Sequence, residues 1–401
     1  MSVRTISLKI SDAEHIERCE KLTHKIQQAG LSGVVLFDGD YIKYYTGFAF
    51  IPTERPMALV LNNKGQRGMF VPRLEREHAQ ANALVDAVAD YPEYPSKEHP
   101  TVALNRLLHE LGVTQNYGAD RDGYPWIFGY RGPSLSEMTD SAPHPVRAWV
   151  EDQMAIKSAA EINLLRESCV WGQPRSRAAF QRYTRPGLTE TDVSNRASVE
   201  ATRAMADAIG PIWRGQSSYY GGAMAGYRGQ IGRNAAIPHA LANNITFQVG
   251  DVLVTGASAP VWGYVSELER TMVIGPASDD QKVMFDHMVA LQDTALEAIK
   301  PGVPCSAVDE AVRAYYDKHD LWPYWKHHVG HCIGLRYHEG PFLDIGDHTV
   351  IQPGMVFTVE PGLYKAGLGG FRHSDTVVVT DDGVESLTYY PRDLESLTIL
   401  A

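Results

Sequence analysis

Three pairs of short segments in the second half of the chain match one another in the same order. RPGLTETDV (185–193) matches KPGVPCSAV (300–308), QVGDVLVTGA (248–257) matches QPGMVFTVEP (352–361), and GYVSELERTMV (263–273) matches GFRHSDTVVV (370–379). A Pro-Gly turn ahead of a helix is common, so one match alone carries little. A colinear set is what a duplicated unit leaves behind. It predicts two halves related by a pseudo-two-fold axis, with any shared site between them.

The first part of the chain lacks this repeat. Ser11-Asp12 can cap a helix to about Gln28 that stops at Gly30, and GVVLFD (33–38) then reads as a buried strand. MALVLNN (57–63) and GMFVP (68–72) are further strands, and TVALNRLLHELG (101–112) is an amphipathic helix ending in glycine. Ser158 followed by Glu161 forms a capping box, which predicts one long helix to about Tyr183. With 401 residues the chain exceeds a single simple core. We expect an α/β (α+β) protein with a first domain over 1–152 and the duplicated domain over 153–401.

Composition narrows the ligand. A net charge of -11 repels nucleic acid and anionic membranes and leaves a small molecule or peptide as the expected partner. The first residues, MSVRTISLKISDAEH, carry no apolar signal region, and no run approaches the length of a membrane span, so the expectation is cytoplasmic. Cys19, Cys169, Cys305 and Cys332 lie far apart with no CxxC pair, so free thiols are expected.

HVGHCIGLRYHEGP (328–341) holds three histidines, His328, His331 and His338. Clustered histidines invite a metal if carboxylates complete the set. Taken alone, His327 or His338 reads first as a satisfied structural residue. Tyr219 and Tyr220, ahead of Gly221 and Gly222, either line a pocket or fill a turn.

Taken together, RPMALVL (55–61), AAIPHA (235–240), GYVSELERT (263–271), GHCIGLRYHEGP (330–341), FTVEPGLY (357–364) and GGFRHSDTVVVTDDG (369–383) resemble the pita-bread family. That family includes methionine aminopeptidase, aminopeptidase P, prolidase and creatinase. The resemblance covers nearly the whole chain and implies a creatinase-type N-terminal domain followed by a pseudo-two-fold pita-bread catalytic domain. Its metal-dependent members hold two ions with two aspartates, one histidine and two glutamates. Carried across, these positions are Gly256, Glu267, His331, Glu360 and Ser374, so two of the five ligands are missing. A dinuclear site is not expected. A single Mn, Zn or Fe ion would rest on Glu267, His331 and Glu360, with His373 or Asp375 filling the gap.

At the departures the chain is more similar to creatinase, a metal-free member, and that similarity implies no cofactor. It implies catalytic roles for His239, Glu269, Glu360 and His331, with the two glutamates holding a substrate cation and His239 moving protons. Arg55, Arg336, His338, Glu267, Tyr219 and Tyr220 become substrate-binding candidates. Arg55 corresponds to an arginine that reaches the neighbouring subunit's pocket, which implies a homodimer with shared sites. Creatinase's pocket tyrosine and phenylalanine are Val265 and Thr53 here, which argues against creatine itself. The resulting expectation is a metal-independent hydrolase of a C–N bond other than a peptide bond, acting on a guanidino acid or amidine, as creatinase and ectoine hydrolase do. The alternatives are a metal-dependent Xaa-Pro dipeptidase or aminopeptidase with a degraded site, and a catalytically silent peptide-binding module.

Overall fold

The computed structural model describes residues 8–172, 176–210, 214–217 and 221–400. The chain divides into two compact units, one over Ile10–Gln153 and one from Met154 onward.

The first unit is built on a six-stranded sheet. Its elements are α1 (Asp12–Gln28), β1 (Gly33–Leu36), α2 (Gly39–Thr46), β2 (Ala58–Asn62), β3 (Arg67–Pro72), α3 (Arg76–Asn82), β4 (Ala87–Tyr91), α4 (Thr101–Leu111), β5 (Gly118–Ala119), α5 (Leu135–Thr139) and β6 (His144–Pro145), followed by α6 (Arg147–Ala155). The sheet order is β4-β3-β2-β1-β5-β6, with β1–β2 and β2–β3 antiparallel and the other pairs parallel. Ser11 caps α1 by accepting from the Glu14 amide, and Gly112 closes α4 in a left-handed conformation. The runs VVL and ALVL are buried on both faces of the sheet, which is why they read as continuous apolar strings rather than alternating ones.

The second unit begins with α7 (Ala159–Val170), capped by the Ser158–Glu161 box. α8 (Ser176–Tyr183) follows, and residues 173–175, on which the continuity of the expected long helix to Tyr183 depends, lie outside the described residues. Next come α9 (Glu190–Ile209), β7 (Met224–Gly226), β8 (Val252–Ser258), β9 (Leu268–Ile274), α10 (Asp279–Ala298) and α11 (Cys305–Lys318). The remaining strands are β10 (Gly330–Cys332), β11 (Glu339–Leu343), β12 (Val356–Val359), β13 (Gly362–Lys365), β14 (Gly369–Arg372), β15 (Asp375–Val379), β16 (Val384–Ser386) and β17 (Thr398–Ile399).

The duplication is visible in backbone detail. Gly187 and Gly302, the glycines of the two Pro-Gly turns, have φ of 89° and 90°, and Gly250 and Gly354 have 90° and 88°. Each of these positions needs the left-handed freedom of glycine. Gly187 N–H donates to Phe247 and Gly302 N–H to Ile351, each at 2.9 Å, and the return bonds run from Phe247 to Leu188 and from Ile351 to Val303. One half carries the sheet β17-β9-β8-β7 and the other β11-β10-β12-β15-β16. The isolated antiparallel bridge Glu269↔Ser374 joins β9 to the chain entering β15, so the two half-sheets meet at the residues of the site.

Candidate active site and metal centre

The β8–β9 ladder pairs Gly256 with Glu269, and β12 pairs Val359 with Asp375, which brings Glu360 and Ser374 to the same level. His331 comes from β10, hydrogen-bonded to β12. Glu267, His331 and Glu360 each offer a ligand atom within 4.8 Å of the others.

His331 is set up to ligate. Its Nδ1 lies 3.0 Å from the Cys332 carbonyl, which can only accept, so Nδ1 carries the proton of the neutral ring and Nε2 a lone pair. That Nε2 is buried, 3.1 Å from Glu360 Oε1, and has no aligned hydrogen-bond partner. Burial alone would lower His331, but the contact with Glu360 and the charges of Glu360 and Glu267 carry it up to about 9. Burial, then Glu360 and Glu269, push Glu267 up to about 8. Burial would also raise Glu360, yet His331 and then Arg372 hold it well below the usual carboxylate range. A divalent ion supplies the positive charge that these retained protons otherwise provide. The residues therefore fit one ion.

They do not fit two. Gly256 has no side chain to offer, and the Ser374 hydroxyl is used as a donor to Glu267 Oε1 at 2.9 Å. His373 does not join the cluster: its Nδ1 accepts from the Thr271 amide at 3.2 Å and its Nε2 faces the Arg392 carbonyl at 3.1 Å. Asp375 is bound by Arg270, Gln292 and Thr388.

Beside the cluster stands a second set of charges. Both oxygens of buried Glu269 face guanidinium groups, Oε2 that of Arg372 and Oε1 that of Arg228 at 2.7 Å. Arg372 also lies 3.7 Å from Glu360 and donates to the Tyr364 hydroxyl at 3.0 Å, which in turn reaches His327 Nε2 at 2.8 Å. Glu269 thus holds two of the chain's own cations. Arg372 and Tyr364 lie within the family motifs without an expected role, and no motif in the sequence marks Arg228. Strand alternation could have aimed Arg372 and Glu269 at one face, but the pairing is tertiary.

The mouth is lined by imidazoles. His338 stacks on His331 with ring centroids 4.0 Å apart. Burial of its stacked face, then the charge of His331, push His338 down to about 4. His239 is exposed, and its charge bears on His338. The Arg336 amide donates to Glu339, itself in a buried ion pair with Lys157 at 2.9 Å. Arg55, in the first unit, pairs with Glu54 and Glu93. Tyr219 and Tyr220 lie outside the described residues.

Residues 171–381 match the profile of metallopeptidase family M24, and residues 18–129 match the creatinase/prolidase N-terminal domain. The chain belongs to metallopeptidase family M24. This M24 chain is 31% identical to the Xaa-Pro dipeptidase of Pyrococcus furiosus over 381 residues, covering 94% of this chain and 99% of that protein. Among solved structures it is similar to the dipeptidase PepE of Mycobacterium ulcerans, with a TM-score of 0.79, 26% identity and coverage of 98% and 100%. It is also similar to the Xaa-Pro dipeptidase of Bacillus anthracis, with a TM-score of 0.77, 26% identity and coverage of 96% and 100%.

These findings make the M24 chain a hydrolase and correct the expectation drawn from creatinase. A metal-independent enzyme without cofactor, acting on guanidino acids or amidines, is overturned by the metallopeptidase match and the dipeptidase relatives. The physical reason is local. Losing carboxylates at Gly256 and Ser374 removes two ligands, while Glu267, His331 and Glu360 still lie within 4.8 Å of one another. No described helix of the M24 chain is long and apolar enough to cross a membrane.

Proposed function

We propose that the protein is a metal-dependent peptidase that cleaves Xaa-Pro dipeptides with a single divalent ion. The observation that carries this reading is the Glu267–His331–Glu360 cluster in a chain of the metallopeptidase family. Those three residues would hold the ion, which would polarise the scissile carbonyl and acidify a bound water.

The chain's own groups do the rest. Arg372, tied to Glu269, Tyr364 and Glu360, keeps Glu360 ionised and oriented. Ser374 fixes one oxygen of Glu267 through its hydroxyl. His338, kept neutral, offers a hydrogen-bonding edge at the mouth without competing for a proton, and exposed His239 is free to give one to the departing nitrogen. Arg55 completing a partner's site in a homodimer is a further part of the proposal.

The test is hydrolysis of a panel of Xaa-Pro dipeptides by protein stripped with chelator and then reloaded with Mn, Zn or Fe. Activity that vanishes on stripping and returns with one ion per chain is expected. Cleavage by fully stripped protein would overturn the reading.

A further inference from the structure

His239 and the run Leu241 to Asn244 are exposed, Leu241 at 83%, so the segment that carries the proton donor buries little apolar surface. Packing alone does not hold such a segment in one place. It leaves a short helical turn at Gly232–Ala236 and rejoins the sheet framework at the Thr189↔Thr246 bridge. Between these ends its polar ties run to the start of α9. Asn244 Oδ1 accepts from the Thr191 amide at 3.3 Å, and the other ties converge on Glu190.

Glu190 is 3% exposed. Its Oε1 accepts from the amides of Asn243 at 2.8 Å and Asn244 at 3.0 Å, and its Oε2 from the Gly229 amide at 2.8 Å. Among the described residues its partners are backbone amides alone. Three amides aimed at one carboxylate stabilise its charge without a cation, and such bonds are stronger than those between neutral groups. Gly229 belongs to a turn closed by the Gln230 amide donating to the Tyr227 carbonyl at 2.9 Å. That turn is already fixed to the wall of the site, because Tyr227 is buried and Arg228 donates to Glu269 at 2.7 Å. It also touches the His239 segment: a Cβ on Gly229 would lie 2.0 Å from the Leu241 carbonyl oxygen. One buried carboxylate thus ties an exposed segment to a rigid turn.

The duplication shows that the fold itself does not demand this carboxylate. Glu190 in RPGLTETDV corresponds to Cys305 in KPGVPCSAV. Both halves build the same joint, with the bridge Thr189↔Thr246 in one and Pro304↔Val350 in the other. The second half closes it over a buried thiol. The half with the carboxylate is the half that carries His239.

We propose that Glu190 is a positioning residue for proton transfer, fixing the place of His239 at the mouth through the amides of Gly229, Asn243 and Asn244. The proposal rests on the peptidase reading above, with His239 as proton donor. The test introduces Glu190→Gln and Glu190→Asp into wild type and into His239→Ala protein, all metal-loaded. Glutamine keeps the size of the side chain, but whichever way its amide turns, its NH2 meets a backbone N–H. Aspartate keeps the charge and falls one methylene short. On an Xaa-Pro dipeptide, Glu190→Gln should lower kcat by roughly tenfold to hundredfold, the cost of a misplaced reacting group, with KM changed less than about threefold and metal content unchanged. Glu190→Asp should recover part of the loss. In the His239→Ala background either replacement should change kcat by no more than about twofold, because the group it places is gone. Hydrogen exchange at the amides of Gly229, Asn243 and Asn244 should quicken by at least about tenfold in Glu190→Gln.

An equal loss of kcat in both backgrounds would make Glu190 a general support of the unit and overturn the proposal. Unchanged exchange at the three amides would do the same, and so would failure of both variants to fold. If dipeptides are cleaved and kcat depends on His239 but not on Glu190, the positioning role falls alone. If wild type cleaves no dipeptide, the peptidase reading falls and the proton-transfer role with it, while faster exchange in Glu190→Gln would still mark Glu190 as the anchor of the segment.

Discussion

Gly256 and Glu269 face one another across the β8–β9 ladder, and a Cβ built on Gly256 would lie 3.6 Å from Glu269 Oε1. The space beside a missing carboxylate is thus flanked by another carboxylate from the next strand. Glu269 does not replace the missing ligand, because Arg372 and Arg228 already claim its two oxygens. This side of the site is neutralised by guanidinium groups, and the other is left for an ion.

Metal content follows from that asymmetry. Protein loaded with Mn, Zn or Fe and then desalted should retain one ion per chain by elemental analysis, and His331→Ala or Glu360→Gln should retain almost none. Two ions per wild-type chain would contradict the reading of Gly256 and Ser374.

Glu269 should matter for stability as much as for catalysis. Replacing it by glutamine leaves buried Arg372 without its main counter-charge, and breaking a buried pair by removing one partner costs about 3–5 kcal/mol. Adding Arg372→Met to Glu269→Gln should recover part of that loss in denaturant titrations. A Glu269→Gln protein as stable as wild type would show that Arg372 does not depend on it.

What could be read from the sequence follows the range of the interactions involved. The left-handed glycines at 187, 250, 302 and 354 and the caps at Ser11 and Ser158 are local devices, so the repeat and the helix starts were legible. Glu267, His331 and Glu360 could be grouped because motif order carries them. The partners of Glu269 could not be, since Arg228 lies 41 residues away and Arg372 103 away. Without them Glu269 read as a free carboxylate awaiting a substrate cation. The absence of two ligands also read as loss of all metal, because sequence alone does not show that the three retained ligands converge within 4.8 Å.

The first unit should be acid-sensitive through His15. Burial, opposed by the bond to the Tyr44 carbonyl, pushes its imidazole down to about 4. The unfolded chain binds that proton first, near 6.5, so the stabilisation is complete above pH 6.5 and is lost as pH falls towards 4. The change amounts to about 3 kcal/mol. His15→Gln should flatten the pH dependence of unfolding in this window, and an unchanged slope would assign the acid sensitivity elsewhere.

Arg55 offers a test of site sharing. It is paired with Glu54 and Glu93 within the first unit, so joining a neighbour's site would require exchange of these exposed partners, which costs little. Mixing equal amounts of Arg55→Ala and His239→Ala protein should restore about a quarter of the wild-type rate per chain, since random exchange makes about half of the dimers hybrids and each hybrid holds one intact site of two. Exchange of subunits without return of activity would rule sharing out.

His239 is the remaining candidate for proton transfer, and the argument is one of elimination at the mouth. His331 is committed to the Cys332 carbonyl on one side and the cluster on the other. His327 is bound at both nitrogens, and burial, then Arg372, push it down to about 4. His338, also near 4, stays neutral at pH 7 and is a poor acid. His239 makes no hydrogen bond to a described residue and faces solvent beside His338. The leaving nitrogen of a cleaved amide must gain a proton, and a solvent-facing imidazole at the mouth is placed to supply it. His239→Ala should lower kcat by roughly 10²- to 10⁴-fold with KM and metal content changed far less, whereas His338→Ala should act mainly on KM. A His239→Ala enzyme with near wild-type kcat on an Xaa-Pro dipeptide would assign the proton to bound water instead.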